Sequence, residues 1–267
     1  MPDLSILAAL AGVGVIAGFL AGLLGVGGGL IIVPAMVWTL EASGFHTHVQ
    51  HLALGTSLAV MVFTSMSSVR AHHLRGAVDW SIVRRMAPWM VIGTLAGTQV
   101  AGYLPSRELK WFFVVYAYAV AAQMLLDKKP KGTRTLPQTA GMGVAGGLIG
   151  LVSSFVGIGG GSMSVPFMVW CQIAVPRAIA TSAALGWPIA VSGAIGYLIS
   201  GWQAPGLPPW SAGFIYLPGL ITLCVITSAL APLGAAMAHR LPVSRLKKVF
   251  AALMVVMATD MLWGLLR

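Results

Sequence analysis

Two glycine clusters are the part of the sequence best suited to bind a ligand. Residues 25–29 read GVGGG and residues 157–161 read GIGGG, so each cluster holds four glycines in five positions. Glycine costs a helix interior roughly 1 kcal/mol relative to alanine, and it permits turns with positive φ. Such turns expose backbone N–H groups, and the N–H groups at the start of a helix attract anions. The clusters are therefore predicted to break helices and to bind an anion.

Close helix packing is the alternative explanation of these glycines, because small residues let helices approach each other in membranes. A dinucleotide-binding site or a P-loop is disfavoured, since no strand precedes either cluster and no lysine follows as a phosphate partner. The substrate-binding residues predicted in and directly after the clusters are Gly27, Gly28, Gly29, Gly159, Gly160, Gly161 and Ser162.

Two hydroxyl dipeptides form a second set of predicted binding residues. Thr56-Ser57 in LALGTSLA and Thr181-Ser182 in RAIATSAA occupy equivalent places after the two clusters. Hydroxyl groups can replace part of an anion's water shell without a fixed charge that would trap it. The alternative is a hydrogen bond to the carbonyl one turn back, which is common in membrane helices.

The remaining ionisable residues give weaker indications. Asp260 is the only acidic residue well inside a predicted span, which makes it a candidate for proton coupling. It also lies within two turns of a predicted helix end, where it could simply reach water. Cys171 and Cys224 lie in apolar surroundings that are typical of packing residues. No metal site and no cofactor is predicted, because the His, Cys and acidic residues have no repeated ligand spacing.

The composition is that of a membrane protein. Of 267 residues, 58% are hydrophobic and 8% are charged, whereas soluble domains have about 25% charged residues. Residues 4–40, 42–69, 135–176 and 178–239 contain no Asp, Glu, Lys or Arg. Each stretch is long enough for one or more membrane helices of roughly 20 residues. Long apolar runs without strand-like alternation predict helices and not a β-barrel.

The hydrophobic segments number about five in each half. They cover roughly 4–24, 30–41, 51–70, 86–104 and 109–126, and then 138–156, 162–174, 178–200, 212–237 and 245–265. We predict an all-α integral membrane protein of two transmembrane repeats, 1–127 and 138–267, joined by a cytoplasmic basic linker over 128–137. The second segment of each half is too short to cross a bilayer, so the first two segments are predicted to form a broken or re-entrant hairpin.

The two halves are internal repeats with opposite charge on equivalent loops. GVGGGLIIVPAMVW from Gly25 matches GIGGGSMSVPFMVW from Gly157, and GTQVAGYLPSRELK from Gly97 matches GAAMAHRLPVSRLK from Gly234. Loop 70–85 is basic whereas its equivalent 201–211 is uncharged. Cytoplasmic loops carry an excess of Lys and Arg, so the halves are predicted to be inverted, with basic loops cytoplasmic and both termini outside. Inverted repeats commonly place a substrate site at their interface near the bilayer midplane.

These motifs resemble the sulfite exporter TauE/SafE family, also called the TSUP family of four-toluene sulfonate uptake permeases. The resemblance covers essentially the whole chain and rests on the paired glycine clusters, the GTS and ATS tripeptides and the repeated LP-containing blocks. It implies transport of sulfite, organosulfonates or related sulfur-containing or carboxylate anions across the bacterial inner membrane, with coupling to protons or to the membrane potential. By position it points to the glycines at 27–29 and 159–161 and the hydroxyls at 56–57 and 181–182. Ala180 departs from the first half's Gly55, which could narrow the second half's site.

A secondary transporter with alternating access is therefore the predicted function, and a passive anion channel is the nearest alternative. A membrane-embedded enzyme would need clustered His, Cys or acidic residues inside the spans, and it is disfavoured. The predicted partners are a small anion and the lipid bilayer. Nucleic acid is not a predicted partner, because the basic residues lie in short loops between spans. The sequence does not define an oligomeric state.

Overall fold

Ten helices, five in each half, make up most of the chain that the structure describes. The computed structural model describes residues 4–24, 28–126, 135–237 and 243–266. The first half contains α1 (Leu4–Leu24), α2 (Gly29–Ala42), α3 (Val49–Leu74), α4 (Trp80–Tyr103) and α5 (Ser106–Leu126). The second contains α6 (Thr139–Val156), α7 (Gly161–Trp170), α8 (Val175–Ser200), α9 (Leu217–Met237) and α10 (Val243–Leu266). A hairpin of β1 (Ser211–Ala212) and β2 (Ile215–Tyr216) precedes α9.

The helices confirm an all-α membrane protein. Within the described ranges, α3, α5, α6, α8 and the Lys248–Leu266 part of α10 are long and apolar enough to span a bilayer. The helices α2 and α7 have 14 and 10 residues, hence lengths of about 21 and 15 Å at the helical rise. Both are shorter than a hydrocarbon core of about 30 Å. The prediction of one short second helix in each half is therefore confirmed.

Several predicted helix limits were wrong, and local chemistry explains two of them. The helix predicted over 86–104 begins already at Trp80, because the Asp79 carboxylate accepts hydrogen bonds from the backbone N–H groups of Ser81 and Ile82. The helix predicted over 212–237 begins only at Leu217, because residues 211–216 pair as the antiparallel hairpin.

Helix packing is equivalent when the two halves are exchanged. The main contacts pair α1 with α9 and α6 with α4, and they pair α3 with α9 and α8 with α4. The helices α3 and α8 pack on each other, as do α5 and α10. Exchange of the halves replaces α1 by α6 and α4 by α9. The contact α1–α9 then becomes α6–α4, and α3–α9 becomes α8–α4, whereas the other two contacts stay the same. Most of the buried surface therefore lies between the halves and not within one half.

Small residues allow these close contacts. A Cβ atom added to Gly93 of α4 would overlap the carbonyl oxygen of Gly147 in α6, and one added to Gly18 of α1 would lie 2.6 Å from Cα of Thr227 in α9. Close backbone approach is a main source of helix association in a bilayer, where the hydrophobic effect between helices is absent. The glycines of the equivalent pairs α4–α6 and α1–α9 thus set the spacing between the halves.

The predicted inversion of the halves can be tested with single cysteines. In a variant lacking Cys171 and Cys224, cysteine would be placed at Leu74 or at Trp202, whose exposed fractions are 77% and 68%. Because the positive-inside rule puts 70–85 in the cytoplasm, we expect an impermeant maleimide to label W202C in intact cells. We expect L74C to react only after permeabilisation. Labelling of both positions from the same side would contradict the inversion.

Candidate functional site

The glycine clusters form turns directly before the two short helices. Gly28 precedes α2 with φ 75° and Gly160 precedes α7 with φ 71°. Gly157, with φ 71°, ends α6 at the other side of the second turn. These left-handed conformations are unfavourable for residues with a Cβ atom. The prediction that the clusters break helices at positive φ is confirmed for Gly28, Gly157 and Gly160, whereas Gly27 lies outside the described residues.

The two turns contact each other through their backbones. A Cβ atom added to Gly29 would overlap the carbonyl oxygen of Gly157 and would lie 3.1 Å from Cγ2 of Ile158. Ser57 of α3 donates a hydrogen bond of 2.8 Å to the same Gly157 oxygen. Its Oγ would also lie 3.0 Å from the added Cβ. Ser57 therefore sits at the junction of the first short helix and the second turn.

The second turn is enclosed by α3 and α8. A Cβ atom added to Gly159 would lie 2.6 Å from Cε of Met61 in α3 and 3.3 Å from Cα of Gly186 in α8. Gly159, Gly160 and Gly161 are all buried. The glycines thus permit close packing, as the alternative interpretation requires. Close packing and substrate binding do not conflict, because the packed atoms bring the start of α2 against the turn that precedes α7.

Each short helix begins directly after its glycine turn. The N–H groups of Ile31 and Ile32 bond to Gly28 O, and those of Met163 and Ser164 bond to Gly160 O. The amides before these have no acceptor within their own helix, as at every helix start. A helix start also carries a partial positive charge of roughly half an elementary charge. The two starts together can therefore stabilise an anion without any ionised side chain.

The two predicted threonines hold the halves together. Thr56 Oγ1 accepts a hydrogen bond of 2.9 Å from the backbone N–H of Tyr216, directly before α9. Thr181 Oγ1 accepts one of 3.0 Å from the N–H of Asp79, directly before α4. Each threonine thus binds the start of the fourth helix of the other half. The sequence interpretation had considered only substrate binding or a hydrogen bond to the carbonyl one turn back in the same helix. Each hydroxyl keeps its proton for a further hydrogen bond.

The two predicted serines of the second half have side-chain partners. Ser182 Oγ lies 2.7 Å from Ser164 Oγ of α7, and both residues are buried. Ser162, in the first turn of α7, lies 2.5 Å from the hydroxyl oxygen of Tyr116 in α5. These contacts fix the start of α7 against α5 and α8. The structure therefore brings Gly29 and Ser57 to Gly157 at the beginning of the second turn, whereas Gly160 and Ser162 contact residues of α5, α6 and α8.

Asp79 links the two halves through an ion pair as well as through its N–H. Its carboxylate lies 3.0 Å from the Arg177 guanidinium of α8. Burial raises the pKa of Asp79, but hydrogen bonds from Ser81 and Ile82 and the charge of Arg177 outweigh burial and hold it below its ordinary value. The carboxylate is consequently ionised at neutral pH. The equivalent contact, at Tyr216, has no such ion pair.

Asp260 lies away from the glycine turns. It is exposed and lines a cavity of about 220 Å³ together with the Glu41–Lys110 ion pair and the side chains of Trp38 and Trp263. The cavity extends along α2 from Glu41 to Pro34. Asp260 therefore lines a cavity beside the C-terminal part of α2 and not beside its glycine start.

Two polar residues that the sequence interpretation passed over are fully buried and have no hydrogen-bond partner. They are Ser153, one turn before Gly157, and Gln50, two turns before Ser57 on the same face of α3. Ser153 could have been found from the sequence, because it is a polar residue close to a glycine cluster in a stretch without charges. Gln50 lies at the polar edge of its segment, where sequence alone suggests exposure to water.

No group of three or more His, Cys, Asp or Glu side chains that could hold a metal ion occurs among residues 4–24, 28–126, 135–237 and 243–266. His51 is buried and has other partners. One ring nitrogen lies 2.9 Å from the carbonyl oxygen of Ala101, and the other lies 3.1 Å from Ser106 Oγ. This histidine connects the start of α3 to the α4–α5 junction.

Apolar spans, short broken helices and buried turns define a multi-pass helical membrane protein of the transporter class. The family model described as "Sulfite exporter TauE/SafE" matches residues 10–261. The chain belongs to this family.

The curated relatives carry matching names. A probable membrane transporter protein of Haemophilus influenzae is 38% identical over 251 residues, covering 93% of this chain and 95% of the relative. Probable membrane transporter protein YunE of Bacillus subtilis is 29% identical over 70% of this chain and 77% of its own length. Probable membrane transporter protein MJ0441 of Methanocaldococcus jannaschii is 26% identical over 94% of this chain and 93% of its own length. No solved structure matches the chain.

The threonine contacts can be tested by removing each hydroxyl while keeping the side chain's shape. We expect Thr56→Val to lower the free energy of unfolding by about 1–3 kcal/mol, because it leaves the buried N–H of Tyr216 unpaired. We expect a smaller loss for Thr181→Val, because the N–H of Asp79 is only partly buried. The measurement is chemical unfolding in detergent. Thr56→Ser and Thr181→Ser keep the acceptor and serve as controls. Unchanged stability of both valine variants would contradict the contacts.

Proposed function

We propose that the chain is a secondary transporter that binds small anions between the two glycine turns and carries them by alternating access. The substrate class is sulfite, organosulfonates and related sulfur-containing or carboxylate anions. The observation that carries this proposal is the backbone contact between Gly29 and the Gly157 carbonyl, where the start of α2 meets the turn that precedes α7. The family match and the transporter names of the relatives agree with it.

An anion is favoured over a cation by the groups at this junction. The helix starts provide N–H donors and partial positive charge. Ser57, Ser162 and Ser182 add hydroxyl groups beside the turns. No carboxylate occurs in the charge-free stretches that form the turns. A cation would therefore meet donors and no counter-charge. Thr56 and Thr181 would contribute indirectly, because their hydroxyl groups bind the starts of α9 and α4 and so hold the halves in place.

The contact between the turns favours a carrier over the passive channel. A pore that stays open along this path would require the turns to stand apart, whereas Gly29 lies directly against Gly157. Because the turns belong to different halves, movement of one half against the other would separate them. Such movement could expose the site first to one side of the membrane and then to the other.

We further propose that the halves, residues 1–127 and 138–267, are inverted in a bacterial inner membrane. In this arrangement the basic loops and the linker 128–137 are cytoplasmic and both termini are outside. The support is the charge difference between 70–85 and 201–211, together with packing that is equivalent on exchange of the halves. Asp260 is the candidate for proton coupling. Its cavity lies beside the C-terminal part of α2, so it would link proton binding to movement of this first short helix.

Substitution of Gly29 by alanine tests the proposal. The added Cβ would force the turns apart, and overpacking of this kind costs about 1–3 kcal/mol. We expect a folded, monodisperse protein whose uptake of sulfite, methanesulfonate or acetate into proteoliposomes falls about ten-fold or more. Gly12→Ala in α1 is the control, since nothing lies within 4 Å of its added Cβ.

Full uptake by Gly29→Ala would remove the glycine contact from the mechanism. The same proteoliposomes distinguish the two transport modes. We expect saturable uptake and counterflow of labelled substrate, as for a carrier. An ohmic single-channel current would instead support the passive anion channel.

A further inference from the structure

Ser153 has an unusual environment for a membrane serine. It is fully buried in α6, and its hydroxyl has no hydrogen-bond partner. Its backbone carbonyl accepts hydrogen bonds from the N–H groups of Gly157 and Ile158. A buried hydroxyl without a partner costs about 1–3 kcal/mol. The fold therefore keeps an unfavourable group one turn before the second glycine turn.

Several other hydroxyls of the described spans avoid this cost, whereas those of Ser200 and Ser228 likewise have no hydrogen-bond partner. Ser65, Ser192 and Thr227 each donate to the carbonyl one turn back, at 2.5–2.7 Å. For Ser153, the carbonyl three residues back, that of Gly150, accepts a hydrogen bond from Thr94 of α4 at 3.2 Å. The Ser153 hydroxyl makes no such contact and stays available to another group.

The hydroxyl faces the start of α7. A Cβ atom added to Gly160, the residue that precedes α7, would lie 3.3 Å from Ser153 Oγ and about 3 Å from the side chains of Ile149 and Ile189. The first amides of α7 follow at Gly161 and Ser162, and they have no acceptor within the helix. An unpaired buried hydroxyl and an unpaired helix start therefore lie side by side.

The surroundings of this pair are uncharged. The stretches 135–176 and 178–239 supply Ser153, the turn, α7 and Ile189 without one Asp, Glu, Lys or Arg. The desolvation energy of an ion grows with the square of its charge, so a dianion costs roughly four times as much as a monoanion of equal size. Neutral donors can offset the cost of a monoanion far better than that of a dianion.

We propose that Ser153 and the first amides of α7 form a subsite for one oxygen of a singly charged oxyanion, such as a sulfonate. This inference rests on the proposed transport function and specifies its substrate charge. The Ser153 hydroxyl donates to the oxyanion, which supplies the partner that the protein lacks. Doubly charged oxyanions of the same shape are selected against.

The test measures anion binding to the purified full-length protein in detergent by titration calorimetry. Methanesulfonate and sulfate serve as probes, because they are similar in size and carry one and two charges. We expect the wild type to bind methanesulfonate about ten-fold or more tightly than sulfate. We expect Ser153→Ala to weaken methanesulfonate binding about ten-fold or more, because a hydrogen bond to a charged group is lost.

Ser154→Ala is the matched control. Ser154 is the next residue of α6 and equally buried, but its hydroxyl donates to Leu151 O of its own helix at 2.7 Å. We expect it to leave methanesulfonate affinity unchanged. Unfolding of the anion-free proteins adds a second readout. Ser153→Ala removes an unpaired polar group, so its unfolding midpoint should equal or exceed that of the wild type, whereas a structural role would lower it.

Unchanged methanesulfonate affinity in Ser153→Ala would overturn the subsite, and so would sulfate binding as tight as methanesulfonate. In both cases, loss of binding in Gly29→Ala would leave the proposed function standing. If the wild type binds none of the four anions sulfite, methanesulfonate, sulfate and acetate, the proposed function and the subsite are both overturned.

Discussion

The structure depends on one backbone contact, between Gly29 at the start of the first short helix and Gly157, which ends α6 and begins the turn before the second short helix. Gly29 lies so close to the Gly157 carbonyl that neither a side chain nor a lipid tail can come between them. Ser57 fixes the same carbonyl by a hydrogen bond across the halves. In hydrocarbon, unpaired backbone groups are costly, so broken helices persist only where protein surrounds them. Here α3 and α8 supply that enclosure.

The rest of the fold serves to keep this junction in place. Thr56 and Thr181 each anchor the fourth helix of the opposite half, and the helix pairs α1–α9 and α4–α6 pack through glycines. These contacts run between halves, so the halves cannot move without changing the junction. In the proposed function, binding of an anion at the helix starts and relative movement of the halves would thereby be coupled through the same atoms. This coupling is the physical requirement for a carrier.

Much of the fold could be predicted from the sequence because the bilayer imposes a strong rule. Runs without charge must be helical, and four glycines in five residues must interrupt a helix. The repeat of the glycine clusters also predicted a site at the interface of the two halves. Hydrogen bonds between distant residues could not be predicted in this way. The partner of Thr56 lies at Tyr216, and only the packed fold shows that Ser153 lacks a partner while Ser65 has one. Whether a buried polar side chain has a hydrogen-bond partner depends on the tertiary structure, and the local sequence pattern does not reveal it.

The most direct measurement of the central claim is the location of a bound anion. Crystals of the protein with bromomethanesulfonate would be measured at the bromine absorption edge, where the bromine gives an anomalous signal. The account predicts a peak beside the start of α2 or α7, with the sulfonate oxygens within hydrogen-bond distance of the first helix amides. A peak only in the cavity between Asp260 and Lys110 would contradict it.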